Sequence, residues 1–335
     1  MNAVWLFNLD ADDELAAPEG YRTSDRMAGR IEKLLSKLQG FPREGEEIAP
    51  LRGARPGLEG RPARVWCPTP SALERGRELG LILDPVPSLS SLRLANRRQF
   101  ESHCRRRLVT FDSRTHVSPF ELPGDFEITT SPERNDVARP RLVSPGSEHR
   151  DPRRQFEEGR AGGPVGPWVL KRDFGFAGLG LRVVRGVLSD ADQSWLSLAL
   201  KVGPGRVQPW RERLVDVVMH GWVDRPTGPV NAPDAGRVLL APALVQQCGP
   251  GGTWQRTRSP GPEEISVDVA RSLRLAAELV GEALGSVDYH GPFGIDGFVW
   301  RDDDRREHLY VCDVNARYTM SWWMSRDLLE PDPSR

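Results

Sequence analysis

Two segments of the sequence carry residue types and spacings that suit the binding of phosphate groups. In the first, WVLKRDFGFAGLG, Lys171 ends a predicted strand, and Gly175, Gly178 and Gly180 follow it. Glycine allows a positive φ and a close approach of the backbone, so successive N–H groups can point at phosphate oxygens. A lysine beside them adds a point charge. The segment predicts a phosphate-binding loop, with a flexible hairpin turn as the alternative; it is not a Walker loop, because no GK[ST] precedes a helix.

The second segment contains acidic and amide side chains on two adjacent predicted strands, GIDGFVWR and HLYVCDVNAR. Side chains alternate along a strand, so Asp313, Asn315 and Arg317 should share one face, and Asp296 should meet them from the partner strand. Two carboxylates and an amide oxygen suit magnesium, whereas zinc would favour His or Cys. Arg317 could stabilise a transferring phosphoryl group. The alternative is a solvated polar face, but the apolar neighbours make unpaired charge costly and favour a metal site.

Composition narrows the classes of function. The 335 residues predict two or three domains, or one domain with a large insertion. The 46 basic and 47 acidic residues give no overall attraction to nucleic acid or membranes. Lysine occurs only at Lys33, Lys37, Lys171 and Lys201, so a lysine next to the glycine-rich segment is notable. Four dispersed cysteines and no apolar run of about 18 residues predict a soluble, cytoplasmic protein.

The first half of the chain has the pattern of a small parallel α/β unit followed by a less regular segment. Alternating strand and helix signals predict an α/β domain over residues 1–90. A helix is predicted at 91–107 and a long, partly disordered loop at 123–166, which lacks periodicity. Residues 91–166 are therefore interpreted as a connecting segment.

The second half is regular. It predicts strands and helices in the following order: strands 168–171 and 181–184, a helix capped by Ser189, a strand near 207–210, strands 213–223 and 238–248, a helix over 263–284, and a hairpin formed by the two strands of the acidic segment. These elements place the glycine-rich segment and the acidic strands in one unit, residues 167–335.

The two segments, in this order, resemble the ATP-grasp superfamily. The resemblance covers residues 168–184 and 291–319, and VQPW at 207–210 falls where the adenine hinge of that family lies. It implies an α/β protein that is α+β in its ATP-grasp part, with ATP bound between the two β-sheets of a two-subdomain core. The layout of residues 1–90 is similar to the pre-ATP-grasp domain that precedes the fold.

By this resemblance, Lys171 corresponds to the phosphate-binding lysine, and Gly175, Gly178 and Gly180 correspond to the loop that closes over the phosphates. Arg317 corresponds to the arginine that contacts the γ-phosphate or an acyl phosphate. Lys171 and Arg317 are thus the implied catalytic residues.

The resemblance also implies the rest of the nucleotide site. Gln208 and Trp210 fall at the adenine hinge, and Asp216 corresponds to the acidic residue that binds the ribose. Asp296, Asp313 and Asn315 correspond to the magnesium ligands, with Asp313 where glutamate is commoner. A second phosphate-binding lysine, common in the family, has no counterpart; Arg97, Arg98, Arg134 and Arg141 are the candidates to replace it.

The implied function is ATP-dependent ligation of a carboxylate to an amine through an acyl phosphate, with release of ADP and phosphate. ATP and Mg²⁺, or Mn²⁺ in its place, are the implied cofactors. The substrates are a small molecule or peptide with a carboxylate and an amine, and a homodimer is the expected assembly. The alternatives are a kinase of the same fold and an inactive nucleotide-binding partner protein.

Overall fold

The computed structural model describes residues 3–38, 41–100, 103–104, 120, 126–130, 140–143, 167–175, 180–186, 188–225, 236–249 and 254–330, with only the backbone described for Lys37, 126–130 and 140–143. Gly178 and Arg134 lie outside the described residues. No helix in this described part of the chain is long and apolar enough to cross a membrane.

The N-terminal unit is a small parallel sheet with helices around it, as the sequence predicts. Its strands are β1 (Val4–Leu6), β2 (Glu47–Ile48) and β3 (Ala63–Val65), in the order β2-β1-β3. Its helices are α1 (Ala11–Ala16), α2 (Asp25–Leu35), α3 (Pro70–Glu78) and α4 (Leu89–Ala95). The Ser24 side chain caps α2 by accepting a hydrogen bond from the Met27 N–H at 3.2 Å.

A second, antiparallel sheet has five strands in the order β5-β4-β8-β6-β7. These are β4 (Phe126–Thr130), β5 (Pro140–Val143), β6 (Trp168–Lys171), β7 (Leu181–Val184) and β8 (Gly205–Pro209). Helix α5 (Asp190–Ala199) packs on this sheet through Leu196. The prediction of a loop over 123–166 is wrong at 126–130 and 140–143, because both stretches are strands of this sheet.

The third sheet is antiparallel and has six strands. Five follow the order β12-β11-β9-β13-β14, and β10 pairs with β9 beside β11. They are β9 (Val215–Val223), β10 (Val238–Leu240), β11 (Leu244–Cys248), β12 (Trp254–Arg258), β13 (Gly291–Arg301) and β14 (Glu307–Asn315). Helix α6 (Val267–Gly285) packs its buried apolar face under this sheet. A short helix, α7 (Arg326–Leu329), follows.

Two further predictions differ from the structure in their bounds. The helix predicted at 91–107 breaks after Ala95, where Asn96 turns the chain. The single strand predicted at 238–248 is two strands, because Pro242 between them has no N–H for the ladder. The chain passes from the five-stranded to the six-stranded sheet between β8 and β9, and a cavity lies between these two sheets.

Candidate functional site

The cavity between the two antiparallel sheets brings together nearly all of the residues selected from the sequence. From the five-stranded sheet and its loops come Lys171, Gly175, Gln208 and Trp210; from the six-stranded sheet come Asp216, Asp296, Asp313 and Asn315, with Arg317 just beyond β14. Gly180 does not line the cavity that the described residues form. Residues more than 100 positions apart in the sequence thus face one space.

The acidic hairpin has the register that the alternation predicts. Asp296 on β13 lies directly opposite Asp313 on β14, and the pairing shifts by one residue between Asp296 and Gly297. Asn315 donates from Nδ2 to Asp296 Oδ2 at 2.8 Å, and Gln246 on β11 donates to Asp296 Oδ1 at 2.7 Å. The predicted pairing across the hairpin is therefore confirmed.

The electrostatics of this hairpin suit a cation. Burial, followed by the nearby carboxylate of Asp313, raises the pKa of Asp296 to about 6. Two carboxylates that face each other repel, and a divalent cation between them would remove that cost. Carboxylate and amide oxygens are also the ligands that Mg²⁺ prefers. The donor set of Asp296, Asp313 and Asn315 thus fits a magnesium ion.

Lys171 and Gly175, the first glycine of the glycine-rich segment, lie on the opposite wall. Lys171 at the end of β6 is buried, and its Nζ donates to the backbone carbonyl of Cys312 at 3.2 Å, which links the two sheets. Gly180 has a φ of +87°, and a Cβ there would lie 2.5 Å from Arg172 Nε. The turn into β7 therefore requires glycine at 180 for steric reasons of its own.

The other end of the cavity has aromatic and cationic walls. Arg213 stacks its guanidinium over Phe298 at 4.6 Å and Trp210 at 5.4 Å, and pairs with Asp216 at 2.9 Å. Gln208 donates its side-chain amide to the Tyr310 hydroxyl. An aromatic face beside a fixed carboxylate can hold a flat base and a sugar hydroxyl.

Of the four arginines named as candidates for a second phosphate-binding cation, Arg98 is the one whose described side chain lines the cavity. It lines the cavity, is 7% exposed, and lies 3.2 Å from Asp313 Oδ1 through its NH1. Arg97 instead pairs with Asp173 at 2.7 Å and does not line the described cavity. The side chain of Arg141 is not described. The sequence offered no basis for choosing Arg98.

Two contacts from the N-terminal half hold the end of β14, and sequence reasoning missed both. The Asn96 side chain accepts from the Ala316 N–H at 3.0 Å and donates to the Ala316 carbonyl at 3.3 Å. Asp12 on α1 accepts from Arg317 at 2.9 Å. Burial opposes the charge on Arg317, yet the carboxylates around it, Asp12 foremost, raise the pKa of its guanidinium above its usual value.

Comparison with known proteins shows the fold of this chain. The chain matches none of the protein families compared with it and none of the curated proteins. Among solved structures it is similar to biotin carboxylase of Campylobacter jejuni in complex with β-γ-ATP, with a TM-score of 0.50 and 11% identity over 97% of this chain and 67% of the other.

Two further structures match with lower TM-scores. One is N5-carboxyaminoimidazole synthase of Aspergillus clavatus in complex with ADP and 5-aminoimidazole ribonucleotide, with a TM-score of 0.48 and 15% identity over 99% of this chain and 78% of that one. The other is D-cycloserine synthetase DcsG, with a TM-score of 0.47 and 13% identity over 98% and 94% of the two chains. The predicted ATP-grasp fold is confirmed by the similarity to biotin carboxylase.

Proposed function

We propose that this chain, which has the ATP-grasp fold, is an ATP- and magnesium-dependent ligase that joins a carboxylate to an amine. The observation that carries the proposal is the charge pattern of the cavity. Five cations line its described walls, Arg98, Lys171, Arg211, Arg213 and Arg317, together with the carboxylates of Asp216, Asp296 and Asp313. A triphosphate with its divalent cation complements both signs.

Each group has a role in the proposed reaction. Lys171 and Arg98 bind phosphate oxygens, and the aromatic and acidic end with Trp210 and Asp216 receives the nucleoside. Asp296, Asp313 and Asn315 would hold the magnesium ion, which neutralises phosphate charge when bound. Arg317 stabilises the charge that develops on the transferring phosphoryl group.

The proposed reaction has two displacements. An oxygen of the substrate carboxylate attacks the γ-phosphorus of ATP, the bond to the bridging oxygen breaks, and ADP leaves. The amine nitrogen then attacks the carbonyl carbon of the acyl phosphate, loses a proton, and releases inorganic phosphate. Phosphoryl transfer requires positioning and charge stabilisation more than a protein nucleophile, which agrees with the residues that line the cavity.

The test is ADP release by the purified protein with Mg²⁺, ATP and a panel of amino acids and peptides. ADP release that needs both an acid and an amine supports the ligase, and Asp313→Ala with Asn315→Ala should abolish it. Asp303→Ala is the matched control, because Asp303 is an exposed acid in the turn of the same hairpin. ADP release without an amine would indicate the kinase instead, and nucleotide binding without turnover would indicate an inactive partner protein.

A further inference from the structure

Asp12 contacts the candidate site from outside the two antiparallel sheets. It lies in the first turn of α1, and its Oδ2 accepts a hydrogen bond from Arg317 NH2 at 2.9 Å. The two side chains are only 4% and 6% exposed. Arg317 lines the cavity, whereas Asp12 does not line it among the described residues. Asp12 therefore contacts the lining of the cavity through Arg317.

Arg317 lies within the field of three carboxylates on three different elements. These are Asp12 on α1, Asp296 on β13 and Asp313 on β14. A buried arginine that loses a charged partner can adopt other rotamers, and Asp313, on the strand that ends just before Arg317, is an alternative acidic partner. Asp313 already pairs with Arg98 at 3.2 Å, so a turn of Arg317 toward it would add a second cation beside a proposed magnesium ligand and leave the γ-phosphate without its arginine.

We propose that Asp12 is a positioning residue that holds the guanidinium of Arg317 toward the terminal phosphate of bound ATP and away from Asp313. This inference rests on the proposed function, because it assigns Arg317 to the γ-phosphate. It makes the nucleotide site depend on the N-terminal unit, which contributes this carboxylate across 305 positions of sequence.

The chain contains a matched control in the next residue. Asp13 lies on the same helix turn and pairs with Arg172 at 2.7 Å, so the two ion pairs have the same chemistry. The Asp13 and Arg172 side chains are 31% and 28% exposed, and neither lines the cavity as the described residues form it. Water replaces such a pair at little cost when one partner is removed.

The experiment compares the affinities of ATP and ADP, each with Mg²⁺, by isothermal calorimetry. ADP lacks the phosphate that Arg317 would contact, so its affinity measures the contacts that the rest of the site makes with the nucleotide. Asp12→Asn and Arg317→Gln should each weaken the binding of ATP by about tenfold and change the affinity for ADP by less than about twofold. The double variant should lose no more than either single one, because both changes remove one interaction. Asp13→Asn should leave both affinities unchanged.

Asp12→Glu covers the case in which Asp12→Asn does not fold, since it keeps the buried pair charged. Its carboxylate reaches one methylene further and displaces the guanidinium. The affinity for ATP should therefore fall at least about threefold, while the affinity for ADP should not change. Wild-type ATP affinity in Asp12→Asn or Asp12→Glu, tighter ATP binding, or an equal loss for ATP and ADP would each overturn the proposal. Failure of the wild-type protein to bind either nucleotide would instead contradict the proposed function.

Discussion

Arg98 is the residue whose role can be tested most directly by comparison with its neighbour. We expect Arg98→Gln to weaken ATP binding by about tenfold, because it removes a buried cation from the cavity wall. Arg97→Gln should leave ATP affinity within about twofold of wild type, since Arg97 pairs with Asp173 away from the described cavity. Calorimetry on both variants measures this, and an equal loss in the two would show that neither arginine is specific for phosphate.

The burial of His220 leads to a prediction of how the free energy of unfolding changes with pH. It is fully buried on β9 among three hydroxyl groups, those of Thr319, Ser321 and Ser325. Burial lowers the pKa of His220 from 6.5 to about 3. Between these values the unfolded chain carries the extra proton, so the free energy of unfolding falls as the pH falls.

The expected contribution of His220 is about 2 kcal/mol of lost stability between pH 6.5 and pH 5. We expect His220→Gln to remove that contribution, so its unfolding free energy should fall less steeply over the same range. Urea unfolding at several pH values gives the two slopes. Parallel slopes would mean that His220 is protonated in the folded protein as readily as in the unfolded one.

Residue-scale prediction from sequence succeeded where the signal was local. Asp296, Asp313 and Asn315 could be grouped because alternation along two adjacent strands sets which side chains face each other. Asp12, Asn96 and Arg98 could not be assigned, because their contacts with β14 and the residues that follow it depend on how the N-terminal unit packs. An acidic run after a strand has no distinctive spacing that would indicate a distant arginine.

At the scale of elements, α6 approaches β10 so closely that a helix glycine is required. A Cβ on Gly281 would lie 2.5 Å from Val238 Cγ1. Alanine normally stabilises a helix interior relative to glycine, but here we expect Gly281→Ala to lower the free energy of unfolding by about 1–3 kcal/mol through overpacking.

Gly29 within α2 is the matched control for Gly281. Nothing lies within 4 Å of a Cβ built there, so Gly29→Ala should raise the free energy of unfolding by up to about 1 kcal/mol. Urea unfolding of the two variants gives opposite signs if the contact between α6 and β10 is as close as described. Stabilisation by Gly281→Ala would show that the helix can move away from Val238 without cost.

Elements were predictable where their periodicity was uninterrupted. The signals of β6, β7, β13 and β14 are continuous, and these strands were predicted close to their observed bounds. Strands β4 and β5 lie in a stretch rich in Pro, Gly and Arg, and β5 begins with Pro140. Proline is tolerated there because β5 is an edge strand, a position that only the assembled sheet reveals.

At the scale of the whole molecule, the N-terminal unit and the six-stranded sheet share one hydrophobic core. Trp5 on β1 packs edge-on against Tyr318, with ring centroids 5.0 Å apart, and both belong to the cluster that contains Phe293 on β13. The five-stranded sheet and α5 form a separate, smaller cluster around Leu196. Residues 1–90 were predicted as a domain of their own, a boundary that remains a prediction, but the shared core couples their stability to that of the six-stranded sheet.

This division of the core predicts two unfolding units, which native-state hydrogen exchange in urea can resolve. Amides of β1 and β13 should exchange with one common free energy of opening. Amides of β6 and β8 should exchange through a partial opening of lower free energy. Ile31→Val, in the shared core, should lower the common value by about 1 kcal/mol in β1 and β13 alike. Leu196→Ala should lower the value for β6 and β8 and leave β1 unchanged. If Ile31→Val acted on β1 alone, the two parts would unfold independently, and a carboxylate on α1 could not hold Arg317 in a fixed place.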